Sequence, residues 1–218
     1  MNSDEKKLRQ EILDACLALN KRGLTRGTSG NVSVRSGDDM LITPTGVPYD
    51  QLTTDMIVRM RMDGTFDGSI LPSSEWRFHR DILRSRPEFN AVVHNHSPYA
   101  TAMAVMGLDI PPVHYSIAAV GGPDVRCSSY ATFGSPELAV HALAALEGRR
   151  ACLLAHHGVI AAQSTLTKAF ALAEIVEEMA RLYILCSALG TPRVLSDEEI
   201  AKVQQRHLTY GQQPAVAT

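Results

Sequence analysis

Leu8, Ile12, Cys16 and Leu19 recur at helical spacing, and Gly23 is placed to stop the helix they predict. A small, polar stretch (Arg26-Gly27-Thr28-Ser29-Gly30-Asn31) then feeds an alternating strand, Val32-Ser33-Val34-Arg35. A Gly37-Asp38-Asp39 turn leads to a second strand over residues 40–43. The segment Pro44-Thr45-Gly46-Val47-Pro48 reads as another turn, and a third strand falls over 57–60. Pro72-Ser73-Ser74-Glu75 opens a helix that must finish by Pro87. From there strand and helix alternate. Residues 91–96 read as strand, and Ser97-Pro98 caps and starts a short helix that runs to Gly107. A strand is expected over 125–129, a helix from Ser135-Pro136-Glu137 to Gly148, and one or two buried strands over 151–162. A long helix from Thr165 or Thr167 to Leu189 and a last one opened by the capping box Ser196/Glu199 complete the pattern.

This alternation, with no repeat, linker or break in composition, predicts one α/β domain over residues 1–211 with a central mixed or antiparallel sheet flanked by helices. Residues 212–218 read as a flexible, frayed tail. The 218 residues, 45% of them hydrophobic and 20% charged, suffice for a sizeable core. With 21 Lys and Arg against 23 Asp and Glu and no basic block, neither nucleic acid nor an acidic membrane surface is the expected partner. The charged start (Met1-Asn2-Ser3-Asp4-Glu5-Lys6-Lys7) has no apolar stretch behind it, so no signal peptide is expected. No apolar run approaches the roughly 18–20 residues that span a bilayer. The scattered cysteines Cys16, Cys127, Cys152 and Cys186 form no CxxC pair and read as free thiols of a cytoplasmic protein.

The chemistry concentrates in a few motifs. In Val92-Val93-His94-Asn95-His96, residues two apart on a strand share a face, so His94 and His96 can present two imidazoles side by side. A catalytic zinc takes three protein ligands and keeps a position open. His156-His157, after the apolar run Ala151-Cys152-Leu153-Leu154-Ala155, offers a third, although neighbours on a strand face opposite sides and periodicity does not choose between them. Ser73, Ser74 and Glu75 sit at a helix start, where free N–H groups favour an anion. The plain alternative is a serine cap with Glu75 paired to His79 one turn on. Gly27-Thr28-Ser29-Gly30-Asn31 and Thr43-Pro44-Thr45-Gly46 allow close backbone approach, but neither is a nucleotide-binding fingerprint, and taken alone they are turns. The five lysines (Lys6, Lys7, Lys21, Lys168, Lys202) all fall in predicted helices or their ends, which argues against Schiff-base chemistry. No GxSxG elbow appears, which argues against a serine hydrolase.

Taken together, these motifs resemble the class II, zinc-dependent aldolase family over nearly the whole chain. The resemblance also runs through Leu41-Ile42-Thr43, Leu71-Pro72, Ala131-Thr132-Phe133-Gly134, His157-Gly158 and Leu195-Ser196-Asp197-Glu198-Glu199. It implies a class II aldolase/adducin-like fold and one zinc per chain on His94, His96 and His157. Glu75 is implied to cap the metal and act as acid/base. Gly30, Asn31, Thr45, Gly46, Ser73 and Ser74 are implied to bind a substrate phosphate. Phe133 and Tyr115 match aromatic positions at the aldehyde end, and Tyr210 a tyrosine near the C-terminus. A homotetramer with sites at its interfaces is also implied, Tyr115 being supplied by a neighbour. The implied reaction is aldol cleavage of a ketose 1-phosphate, such as L-fuculose 1-phosphate, to dihydroxyacetone phosphate and a short aldehyde such as L-lactaldehyde, zinc polarising the carbonyl. Related epimerases carry Asp where this chain has Glu75, which favours the aldolase branch. A 5-deoxyribulose 1-phosphate substrate, a same-fold epimerase or decarboxylase, and a non-catalytic protein-binding head are the alternatives.

Overall fold

The computed structural model describes residues 3–211. The expected tail at 212–218 lies outside the described residues. Helix α1 (Ser3–Lys21) precedes three strands, β1 (Asn31–Ser36), β2 (Asp39–Ile42) and β3 (Val58–Arg61). Helix α2 (Trp76–Ser85), strand β4 (Ala91–Asn95) and helix α3 (Pro98–Val105) follow. Then come α4 (Pro136–Ala145), β5 (Ala151–Leu154), β6 (Gly158–Gln163), α5 (Leu166–Ser187) and α6 (Asp197–His207). The strands form one sheet in the order β3-β2-β1-β4-β6-β5, and every adjacent pair is antiparallel.

Strand alternation divides the interior in two. Val32, Val34, Val93, Val159 and Ala161 pack on one face with α1, α3 and α5. Met40, Ile42, Val92, Ile160 and Ala162 pack on the other with Phe78, Ile82 and Leu83 of α2 and Leu138 and Ala142 of α4. The exception is the second face of β1. There Asn31 and Ser33 lie opposite His94 and Val92 of β4, and all four are buried. A polar patch under a helix is costly unless its groups are paired. This one is paired, and it leads into the functional site.

Helix starts follow the sequence closely. Ser135, Thr165 and Ser196 each accept a backbone N–H, from Leu138, Lys168 and Glu199 respectively. The Glu199 side chain turns to Lys202 (3.1 Å). At α3 the expected cap is corrected. The Ser97 side chain makes no capping bond; Glu177 of α5 instead accepts the N–H groups of Tyr99 (3.0 Å) and Ala100 (2.9 Å). A carboxylate from a distant helix satisfies those donors better than a hydroxyl and complements the helix dipole.

The strand expected over 125–129 is also corrected, since only single bridges, Val125 to Ile110 and Cys127 to Leu153, form there. The Cys127 N–H goes to the Asp109 carboxylate (2.7 Å), which takes up a donor that a ladder would need. The 151–162 run resolves into β5 and β6 joined by a tight turn, and a 3-10 helix (Tyr115–Val120) occupies a stretch that carries no sequence expectation. Among the described residues no helix is long and apolar enough to cross a membrane.

Candidate metal centre

Three chain segments converge on one point. β4 delivers His94 at its end, and His96 follows just beyond, so the strand stops one residue earlier than expected. The β5–β6 turn delivers His157. His156 takes a left-handed conformation there (φ 57), so strand alternation does not govern this histidine pair. The sharp turn also brings Gly158 against β4. A Cβ at Gly158 would meet the Asn95 carbonyl oxygen at 2.5 Å and the His96 ring at 2.8 Å, so only glycine lets the two loops close this tightly. The residue before α2 delivers Glu75, which is 7% exposed.

The ligand atoms of His94, His96 and His157 lie within 4.8 Å of one another, and the rings meet edge to face with centroids 4.8–4.9 Å apart. His94 Nδ1 donates to the Val159 carbonyl (2.8 Å), which leaves Nε2 with a lone pair turned inward. Metal-binding histidines are commonly fixed in this way. That Nε2 is 3.0 Å from His96 Nε2 and 3.2 Å from Glu75 Oε2, while His157 Nε2 is 3.2 Å from Glu75 Oε1. Two donors each roughly 2.0–2.1 Å from a tetrahedral zinc stand about 3.3 Å apart. The spacing therefore fits a divalent metal on three imidazoles with the carboxylate at its side. Oε1 of Glu75 is buried without a hydrogen-bond partner, as expected of an oxygen that awaits an ion.

The protonation states match this use. Burial pushes His96 down to about 3 and His157 down to about 4, so both are neutral ligands at neutral pH. Burial works to raise the Glu75 carboxyl. The His94 and His157 imidazoles and the Asn31 amide outweigh it and hold Glu75 well below the usual carboxylate range, hence ionised.

The site opens on a cavity of about 310 Å³ whose wall includes Gly30, Asn31, Thr45, Gly46, Ser73, Ser74, Glu75, His96, His157 and Phe133. The structure thus brings together every residue that the resemblance implies for the site except two, Tyr115 and Tyr210. His94 is fully buried behind the wall. Tyr115 (54% exposed) and Tyr210 (86% exposed) do not line this cavity in a single chain. Gly30 closes the first loop with φ 83, and a Cβ there would meet the His94 carbonyl oxygen at 2.8 Å. Ser73 Oγ accepts the Glu75 N–H (3.3 Å). Glu75 does not pair with His79.

Sequence reasoning missed Tyr130, which meets His156 edge to face at the cavity mouth (5.9 Å); it gave no role to Ser33 and only a surface pairing with Glu75 to His79, and both are fully buried. His79 carried one signal: it sits one turn before Ile82 and Leu83, within the apolar stripe of α2.

With this geometry in hand, comparisons with known proteins agree. The family described as class II aldolase and adducin N-terminal domain matches residues 10–184. The L-fuculose phosphate aldolase of Escherichia coli (strain K12) is 50% identical over 209 residues, 95% of this chain and 97% of that protein. The 5-methylthioribulose-1-phosphate/5-deoxyribulose-1-phosphate aldolase of Rhodospirillum rubrum is 48% identical over 204 residues, 94% of this chain and 92% of that protein. A solved L-fuculose 1-phosphate aldolase superposes with a TM-score of 0.91 at 40% identity, covering 95% of this chain and 98% of its own.

Single alanine variants test the ligand set. His94→Ala, His96→Ala and His157→Ala should each lose the bound divalent metal in elemental analysis of the dialysed protein, whereas His156→Ala should keep it. Full retention in His157→Ala, or loss confined to His156→Ala, contradicts the assignment.

Proposed function

The chain belongs to the class II aldolase and adducin N-terminal domain family, and within it we propose that the protein is a zinc-dependent lyase acting on a ketose 1-phosphate. The substrate is L-fuculose 1-phosphate or a close analogue, cleaved reversibly to dihydroxyacetone phosphate and a short aldehyde such as L-lactaldehyde. One observation carries the reading: an ionised, buried carboxylate stands against three convergent imidazoles at the floor of a cavity walled by small polar residues. The 48% identity to an aldolase named for 5-deoxyribulose 1-phosphate supports a second reading in which only the aldehyde differs.

His94, His96 and His157 would hold one zinc, which supplies Lewis-acid polarisation of the substrate carbonyl when bound. Ser73, Ser74, Asn31, Thr45 and the backbone at Gly30 and Gly46 would grip the phosphate and so position the reacting carbons. Glu75 would move the proton at the donor carbon through Oε1, the oxygen without a hydrogen-bond partner. Phe133, 66% exposed at the rim, would pack against the aldehyde end. Tyr115 and Tyr210 would serve the aldehyde oxygen, Tyr115 reaching the site from a neighbouring subunit of a cytoplasmic homotetramer. The catalytic unit would span residues 1–211.

Release of dihydroxyacetone phosphate from a panel of ketose 1-phosphates tests the reading. Cleavage of none of them by the zinc-loaded protein contradicts it. In the same assay Glu75→Gln should retain zinc and lose on the order of 100- to 10,000-fold in turnover, the size of a general acid–base contribution. Turnover near that of the parent removes Glu75 from the mechanism. Light scattering should give a tetramer, and a fully active 23.7 kDa monomer would refute the shared site.

A further inference from the structure

His79 has no place in the chemistry described so far, yet it is fully buried beneath the site. Its ring stacks on Phe78 (centroids 4.6 Å apart), and Phe78 also packs against the edge of His94 (5.4 Å). Both its nitrogens are engaged. Nδ1 is 2.7 Å from the Ser33 hydroxyl, and Nε2 is 2.5 Å from Asn31 Oδ1. On its other side Asn31 sends Nδ2 to Glu75 Oε2 at 2.9 Å.

The direction of every hydrogen bond in this chain follows from its last member. Asn31 Nδ2 donates to Glu75 Oε2, so the amide turns its carbonyl toward His79. His79 must then donate from Nε2, which leaves Nδ1 of the neutral ring to accept from Ser33. A flipped amide would set Oδ1 against Glu75, acceptor facing acceptor, and alter the groups Asn31 shows to the cavity it lines. A side chain of similar bulk could fill the space. Only a donor at the Nε2 position excludes the flip.

We propose that Ser33, His79 and Asn31 form an oriented hydrogen-bond relay, with His79 the positioning residue that locks the Asn31 amide and thereby aims the Glu75 carboxylate. The relay rests on the reading of Glu75 as acid/base, and its test separates the two. In the zinc-loaded parent protein, nitrogen NMR of His79 should give the neutral ring with hydrogen on Nε2. Uptake of solvent deuterium into dihydroxyacetone phosphate should fall on the order of 10- to 100-fold in His79→Leu, with zinc retained. His79→Gln, which keeps a donor near that position, should recover most of the loss. In an Asn31→Ala background, His79→Leu should cost less than about threefold more, because its effect runs through Asn31.

The Nδ1–H tautomer, exchange in His79→Leu within about twofold of the parent, or a loss undiminished by Asn31→Ala would overturn the relay. If His79→Leu fails to fold, Ser33→Ala takes its place and should let both tautomers appear and slow exchange. A single Nε2–H tautomer and parent-like exchange in that variant overturn it equally. A zinc-loaded parent that exchanges nothing sinks the aldolase reading, and the tautomer alone then decides the relay.

Discussion

A carboxylate taken out of water tends to pick up a proton, and the structure is organised around preventing this at Glu75. Desolvation of an isolated carboxylate costs several kcal/mol even after relaxation, more than one ordinary hydrogen bond returns. The Asn31 amide donates to Glu75 at 2.9 Å, and a divalent cation held by the imidazoles, whose nitrogens stand 3.2 Å away, would favour the ionised form further. The three imidazoles and the carboxylate crowd lone pairs together, a condition that a divalent cation relieves. Acid, ligands and amide therefore depend on one another, and displacing any of them weakens the rest.

The fold supplies this convergence through three rigid junctions. β4 is central in the sheet, so His94 and His96 leave a strand end that cannot drift. The β5–β6 turn brings His157 against it, with His156 absorbing the unusual backbone geometry and Gly158 allowing contact. α2 begins immediately after Glu75, and Phe78 in its first turn braces both His79 and His94. The phosphate-gripping candidates sit on loops at the ends of these same elements. Loops carry the chemistry here while the strands fix where it happens.

Most of the architecture was legible in the sequence because the strands write short apolar runs between turn residues, and three helices announce themselves with Ser or Thr caps. What failed had local causes. Glu177 caps α3 from 78 residues away along the chain, which no local pattern reveals. The 125–129 run looks like a strand but gives a donor to Asp109. At the site, the HxH spacing pointed to two imidazoles, whereas the choice of His157 over His156 came only from resemblance. Periodicity assumed a strand where the chain makes a left-handed turn. Ser33 read as the polar side of an ordinary half-exposed strand, and His79 as a surface partner for Glu75. Both lie fully inside because α2 covers that face, a tertiary fact outside the reach of spacing.

The account stands on a metal-dependent proton transfer to and from the donor half of the substrate. Its most direct test is a titration of zinc into metal-stripped protein, following deuterium uptake from solvent into dihydroxyacetone phosphate with no aldehyde present. The account predicts no exchange without metal and a linear rise that levels at one zinc per chain. Exchange that persists in stripped protein, or that stays absent with one equivalent bound, would contradict it.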